Sequence, residues 1–154
     1  MALLDHVLRV ETLVPGELER VFSFFSNPQN LELITPPELG FSIISPLPII
    51  IQKGTLIDYR IRLLGVAFRW KTLISEWEPK QRFVDEQLKG PYAKWIHIHI
   101  FESKKDGVLI KDEVRYRLPF FPFGEIMFPV IRLQLKRIFE YRSLRINELI
   151  QSAS

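Results

Sequence analysis

The amino-acid sequence predicts an α+β fold, in which a seven-stranded, curved antiparallel sheet closes around one long C-terminal helix. Three observations lead to this prediction. Between residues 41 and 118, apolar side chains recur at every second position in segments separated by short turns. From Gly124 to Gln151 they recur at helical spacing. Two short helical segments follow the first strand, so the predicted order is β, α, α, six β and a long α.

Composition limits the class of protein. The 154 residues have the length of one domain, and we expect residues 1–154 to form a single ligand-binding domain. The absence of cysteine excludes disulfides, thiolate nucleophiles and cysteine-based zinc sites. The N-terminus lacks a basic segment followed by a long apolar one, and no apolar run approaches ~18 residues. We therefore expect a soluble, cytoplasmic protein without a signal peptide or an integral membrane segment.

The first third of the chain contains a strand and two short helices. The strand is predicted over residues 4–14 and ends at Pro15-Gly16. Residues 17–25 have apolar side chains on one helical stripe, and Asn27-Pro28 ends this segment. A second short helix is predicted over residues 30–34, because Pro36-Pro37 stops it.

The remaining strands follow one another through short turns. Their separators, such as Leu64-Gly65 and Gly90-Pro91, have the length of hairpin turns. Parallel strands need long crossovers, so the sheet is antiparallel. The predicted strands are residues 41–45, 55–63, 66–77, 82–89, 92–102 and 108–118.

The C-terminal helix carries an apolar stripe and also most of a basic cluster. The stripe consists of Met127, Ile131, Leu135, Ile138, Tyr141 or Arg142, Arg145 or Ile146, and Leu149. The basic residues between Arg132 and Arg145 are interpreted as a solvated face, so nucleic-acid binding is not expected despite a net charge of +3. A helix about 40 Å long on a curling sheet leaves a gap beside it, and this gap is the natural binding site.

Polarity indicates which strand faces line this gap. On residues 108–118 the charged side chains occupy odd positions, which leaves Asp112 on the inward face. If Ser103 opposes Val108, paired residue numbers sum to about 211, and His99 then opposes Asp112. On residues 82–89, Asp85 and Gln87 are placed inward, although the opposite face with Val84 and Leu88 is an alternative. The predicted ligand-contacting residues are Tyr59, Trp70, Asp85, Gln87, Trp95, His97, His99, Phe101, Asp112, Tyr116, Met127 and Ile131.

The cluster of His97, His99 and Asp112 has three interpretations. The favoured one is a hydrogen-bonded cluster, structural or ligand-binding, in which Asp112 accepts from His99. The second is acid–base catalysis, in which the carboxylate orients an imidazole base. The third is a metal site with Asp112 as a third ligand or as an acceptor behind the ligands. We expect no metal and no cofactor.

Three apolar loops are predicted near the mouth of the gap. The segment from Leu118 to Phe123 joins the last strand to the helix, and we interpret it as a packed loop. A mobile gate or a tip that contacts a membrane is the alternative. Residues 35–41 and 46–51 are the other two, and together the loops would admit a hydrophobic ligand.

Several motifs, taken together, resemble those of the SRPBCC superfamily, also called START-related or helix-grip proteins. They are Val21-Phe22-Ser23-Phe24-Phe25-Ser26-Asn27-Pro28, Leu33-Ile34-Thr35-Pro36-Pro37, Gly90-Pro91-Tyr92, Trp95-x-His97-x-His99-x-Phe101 and Asp112-x-Val114-x-Tyr116-x-Leu118-Pro119. Together with the order of the elements, the resemblance covers nearly the whole chain, and it is strongest to an uncharacterised bacterial ligand-binding branch. The resemblance implies a hydrophobic cavity between the sheet and the C-terminal helix. It does not imply one activity.

The function expected from these observations is binding or transport of a small hydrophobic or aromatic molecule, of the lipid, polyketide or sterol kind. The alternative is an enzyme of the polyketide cyclase or isomerase type that uses His97, His99 and Asp112 as an acid–base cluster. The sequence leaves this choice open and favours binding. The expected partner is the small molecule alone, and the expected state is a monomer or a weak homodimer.

Overall fold

The structure, a computed structural model, describes residues 5–152 and has the predicted helix-grip architecture. Leu4, assigned above to the first strand, lies outside the described residues. The strands are β1 (His6–Val14), β2 (Ser42–Ile43), β3 (Leu56–Leu63), β4 (Val66–Glu78), β5 (Arg82–Lys89), β6 (Lys94–Lys104) and β7 (Gly107–Arg117). The helices are α1 (Leu18–Phe25), α2 (Leu31–Ile34) and α3 (Phe128–Ser152).

The seven strands form one antiparallel sheet in the order β1-β7-β6-β5-β4-β3-β2. Strands β1 and β2 lie at opposite edges, and the chain between them contains α1 and α2. The predicted register of β6 and β7 is confirmed, because Ser103 pairs with Val108 and His99 pairs with Asp112. This register places the two histidines and Asp112 on the same face of the sheet.

Helix α3 starts later than the sequence predicts. Residues Phe123–Met127 form a 3-10 turn instead, in which the amide of Glu125 donates to the carbonyl of Pro122. Pro129 then occupies the first turn of α3, where its missing N–H costs no helical hydrogen bond. Within residues 5–152, no helix is long and apolar enough to cross a membrane.

The apolar contacts between the sheet and the helices separate into two clusters. The first, which we call the filled half, contains Val14, Val21, Phe22, Ile34, Phe83, Phe101, Val108, Ile110, Ile146 and Ile150. The second, which we call the hollow half, contains Leu39, Leu63, Trp70, Tyr92, Val114, Tyr116, Leu118, Leu135 and Phe139. Helix α1 packs against the filled half, whereas the middle of α3 packs against the hollow half.

The buried stripe of α3 differs in part from the predicted one. The side chains that the helix buries are Leu135, Phe139, Arg142, Ile146 and Ile150. Spacings of four and three residues keep these five on one face. The prediction that the basic residues of the helix face solvent is therefore wrong for Arg142, which is buried with the apolar stripe.

Candidate functional site

A cavity of about 170 Å³ lies in and beside the hollow half, between the inner face of the sheet and α3. Its wall is mainly apolar, with ring side chains from β3, β4 and β6. Trp70 stacks on Tyr59 with ring centroids 5.8 Å apart and meets the edge of Trp95 at 5.3 Å. Leu135 and Ile138 of α3 close the opposite side.

Six of the residues that the sequence predicts to contact a ligand line this cavity. They are Tyr59, Trp70, Asp85, Trp95, His97 and His99. They come from β3, β4, β5 and β6, and they share the inward face because residues two apart on a strand point the same way. Whether they contact a ligand stays a prediction.

Six other predicted residues lie elsewhere. Asp112 lies behind the histidines, and Phe101 and Tyr116 are packed into the filled and hollow halves. The side chain of Gln87 bonds both backbone groups of Tyr92, at 2.7 and 3.0 Å, and so holds the turn between β5 and β6. Met127 and Ile131 line a second, separate cavity of about 270 Å³ beneath the loop that follows β7.

The polar end of the cavity is a buried cluster of five side chains. His97 Nε2 lies 2.8 Å from Asp112 Oδ1, and His99 Nε2 lies 2.6 Å from Asp85 Oδ2. The sequence analysis paired Asp112 with His99, and this contact is present but is the longer of the two that Asp112 makes with the histidines. Although Asp112 and His99 are directly opposite in the register, their closest atoms are 3.4 Å apart, and the diagonal partner His97 makes the shorter bond.

Arg142 is the member of this cluster that sequence reasoning missed. Its Nη2 lies 3.3 Å from Asp112 Oδ1 and 3.3 Å from His99 Nδ1. Its guanidinium also lies over the rings of Phe25 and Phe139, 5.2 and 5.6 Å from the centroids. The sequence analysis lists Arg142 as an alternative to Tyr141 on the apolar stripe, and this position, four residues before Ile146, was the signal that it is buried.

These contacts define the protonation pattern of the histidines. A guanidinium can only donate, so its bond to His99 requires an unprotonated Nδ1 and places the proton on Nε2, where it is donated to Asp85. His97 likewise donates from Nε2 to Asp112. Its Nδ1 makes no hydrogen bond within residues 5–152 and lies 3.7 Å from Asp85 Oδ2.

Burial and the nearby charged groups shift the pKa values of the two aspartates in opposite directions. Burial would raise the pKa of Asp112, but the Arg142 guanidinium and the two histidines lower that pKa well below its usual value. The pKa of Asp85 is also lowered, because His97 and His99 outweigh burial. The pKa of His97 is lowered to about 4, mainly because the ring is buried and, to a smaller extent, because His99 lies beside it. The cluster therefore holds two carboxylates, one guanidinium and a neutral His97 at neutral pH.

The loop after β7 does not have the packed conformation that the sequence predicts. Phe120 and Phe123 are 83% and 74% exposed, and Phe121 is also exposed. Phe120 has a φ of 60°, which is unusual for a residue with a large side chain. The backbone turn ending at Gly124 approaches the carbonyl of Pro119 so closely that a Cβ there would lie 1.8 Å from that oxygen.

Comparisons with known proteins identify the fold and nothing finer. No protein-family model matches the sequence, and no curated protein matches it. Among solved structures, TTHA0849 from Thermus thermophilus superposes with a TM-score of 0.73 at 18% identity, over 97% of this chain and 99% of that one. Ara h 8.0201, which has a helix-grip fold, superposes with a TM-score of 0.65 at 15% identity, over 96% and 99%.

A third similar structure is a nucleoside-diphosphate sugar epimerase from Corynebacterium glutamicum, with a TM-score of 0.65 and 23% identity. The match covers 92% of this chain but only 28% of the epimerase. All three structures are less than 25% identical to this chain. The chain therefore has a helix-grip fold, which is consistent with ligand binding in general.

Proposed function

We propose that this protein binds a small hydrophobic molecule with an aromatic ring in the cavity of the hollow half. The observation that carries the proposal is a mainly apolar cavity with a small number of polar side chains in its wall, which is the usual composition of a small-molecule site. The hydroxyl of Tyr59 and the cluster at Asp85 and His99 provide hydrogen-bonding partners there, while Trp70 and Trp95 provide ring faces.

The cavity volume limits the size of the ligand. An apolar protein cavity of about 150 Å³ accommodates benzene, and this cavity is of similar size at about 170 Å³. A molecule with one ring and a short substituent fits without movement of the wall. A sterol, with four fused rings, requires the wall of the cavity to move outward. The size therefore favours the aromatic members of the predicted ligand class over the sterol and lipid members.

A titration with simple ring compounds tests this proposal. We expect toluene and 4-methylphenol to bind the purified protein in isothermal titration calorimetry, whereas cholesterol in a solubilising carrier does not. 4-Methylphenol should bind about tenfold tighter, because its hydroxyl reaches the polar end of the cavity and one hydrogen bond contributes about 0.5–1.5 kcal/mol. Absence of binding by every ring compound would contradict the proposal. Native mass spectrometry of the purified protein identifies any molecule that co-purifies.

Acid–base catalysis is the second candidate, and one observation favours it. His97 presents an unbonded Nδ1 to the cavity region while Asp112 holds its Nε2. This arrangement orients a base for proton abstraction next to a carbonyl. We expect deuterium exchange at the methyl group of acetophenone to be faster with the protein than in buffer, and His97→Gln to remove the acceleration without changing affinity. Exchange at the buffer rate would exclude this candidate for ketones of that size.

A further inference from the structure

Three donor atoms of the kind that bind transition metals converge at the polar end of the cavity. Asp85, His97 and His99 each offer one ligand atom, and these atoms all lie within 4.8 Å of one another. Asp85 Oδ2 is 2.6 Å from His99 Nε2 and 3.7 Å from His97 Nδ1. All three side chains line the cavity, so a metal ion held by them would be in contact with its contents.

The sheet itself fixes this arrangement. His97 and His99 are two residues apart on β6 and point to the same face, with their rings stacked 3.6 Å apart. Asp85 on β5 pairs directly with His97 in the register. The ring of His99 also stacks on Phe83 at 4.0 Å, which restricts its rotation. Ligands held on strands in this way are positioned more accurately than ligands on loops.

Asp112 occupies the position of a supporting carboxylate behind the two histidines. Its Oδ1 lies 2.8 Å from His97 Nε2 and 3.4 Å from His99 Nδ1. These are the ring nitrogens that point away from the three converging donor atoms. A histidine that binds a metal through one nitrogen usually donates its other N–H to a carboxylate. One carboxylate oxygen is therefore placed to accept from both histidines at once.

The net charge of the cluster favours the binding of a cation. Two carboxylates, of Asp85 and Asp112, lie beside one guanidinium, of Arg142, so the cluster has one net negative charge when both imidazoles are neutral. A buried charge that is not compensated is costly. Arg142 Nη2 lies 3.3 Å from Asp112 Oδ1, and the two form an ion pair, so Arg142 compensates that carboxylate. The remaining negative charge is that of Asp85, which faces the cavity.

We propose that Asp85, His97 and His99 bind one divalent transition-metal ion, with Asp112 orienting both imidazoles and with one coordination position open to the cavity. The ion takes the place of the proton that His99 Nε2 donates to Asp85. That proton moves to Nδ1, where Asp112 accepts it, and Arg142 gives up its hydrogen bond to Nδ1 and keeps the one to Asp112. Two histidines and one carboxylate with an open position are the ligands of catalytic zinc and of mononuclear non-haem iron sites. This goes beyond ring binding, because a bound molecule with an oxygen or nitrogen donor would itself become a ligand.

The test uses the full chain, stripped with a chelator and free of ring compounds, and the metal alone as the probe. We expect one equivalent of Zn²⁺ in calorimetry, and the visible absorption of four- or five-coordinate Co²⁺ on cobalt addition. Asp85→Asn and His97→Gln should each abolish stoichiometric binding. Asp112→Asn should keep the stoichiometry and weaken affinity by about 10–100-fold, as loss of a supporting carboxylate does.

His6→Gln is the matched control, because His6 is the one histidine of the chain that does not belong to the cluster. It pairs with Glu125 at 2.8 Å. This variant should bind Zn²⁺ as tightly as the parent chain, and circular dichroism confirms that each variant is folded. Absence of stoichiometric binding by the parent would overturn the proposal, as would undiminished binding by Asp85→Asn. Ring compounds are titrated separately into the metal-free protein, so failure of one proposal is distinguishable from failure of the other.

Discussion

The filled and hollow halves are built from the same sheet and the same long helix, but the first is close-packed and the second leaves a cavity. Both lie between the concave face of the sheet and α3, and both are rich in aromatic residues. In the filled half, α1 inserts Val21 and Phe22 against the sheet, and Phe22 contacts the rings of Trp77, Phe83 and Phe101. The hollow half packs against Leu135 and Phe139 of α3, and a cavity is left beside Trp70 and Tyr59.

The buried polar cluster lies where the two halves meet. His99 stacks on Phe83 of the filled half, whereas His97 meets the edges of Trp95 and Phe139, which belong to the hollow half. The filled half therefore holds the cluster rigidly, and the hollow half provides the cavity beside it. The cluster takes its rigidity from the first and its accessibility from the second.

The largest expected effect comes from breaking the cluster. Arg142→Met should lower the free energy of unfolding by about 3–5 kcal/mol, because it leaves the carboxylate of Asp112 buried without its cation. Urea unfolding monitored by circular dichroism measures this loss. Adding Asp112→Asn to Arg142→Met should recover part of the loss, because the second change removes the uncompensated charge. A double variant that is no more stable than the single one would show that Arg142 acts through packing alone.

A matched pair of truncations compares the filled half with the wall of the cavity. Ile110 and Ile57 are 1% and 3% exposed, but only Ile57 lines the cavity. Ile110→Ala should cost toward the upper end of the range of about 2–5 kcal/mol, because it creates a new void in a close-packed region. Ile57→Ala should cost toward the lower end, since one side of that residue already faces empty space. Equal losses in urea unfolding would contradict the distinction between the halves.

Filling the cavity provides the complementary test. Ile61 lines the cavity, and Ile61→Phe extends the side chain into empty space, so the free energy of unfolding should change by less than about 1.5 kcal/mol. The same change in the filled half, Ile110→Phe, should cost about 1–3 kcal/mol through overpacking. Calorimetry with 4-methylphenol should show that Ile61→Phe weakens binding at least tenfold, whereas Ile110→Phe, once refolded, retains it. The opposite pattern would place the ligand outside the hollow half.

The smallest expected effect concerns ion pairs at the outer end of the hollow half. Asp5 lies 2.7 Å from Lys94 Nζ and 2.8 Å from Arg117 Nη2, and the hydrogen bond from Lys94 is the main cause of its lowered pKa. A carboxylate whose pKa is lowered on folding adds stability that is present above its unfolded value, near 3.8, and is lost as the pH falls through its folded value. Asp5→Asn should therefore cost less than about 1 kcal/mol at pH 7. The difference between parent and variant, measured by urea unfolding, should shrink as the pH falls below 3.8 and vanish once the pH is below the lowered pKa of the folded state.

The sequence was sufficient to predict the sheet of this fold. Alternation fixes which side chains point inward, and the short turn at Lys104–Gly107 leaves one register that keeps Asp112 and His99 on the buried face. The same alternation identified Tyr59, Trp70 and Asp85 as inward-facing residues. These features are local, because each depends on a strand and the turn beside it.

Features that depend on contacts between distant elements were not accessible in this way. A charged side chain on an amphipathic helix is assigned to solvent by default, so the burial of Arg142 depends on partners that only the fold brings together. The choice of Asp85 over Asp112 as the partner of His99 depends on how two rings lean across the sheet. The register shifts between β4 and β5 are likewise not encoded in alternation.

Fluorine NMR of protein labelled with 5-fluorotryptophan tests the distinction between the halves most directly, because the three tryptophans are distributed between them. Trp70 and Trp95 line the cavity, whereas Trp77 packs against Phe22 and Phe83 in the filled half. On titration with 4-methylphenol, we expect the resonances of Trp70 and Trp95 to shift until one equivalent is bound while that of Trp77 stays in place. Resonances that all remain fixed, or a shift of Trp77 as large as those of the other two, would contradict a ligand site in the cavity beside Trp70 and Trp95.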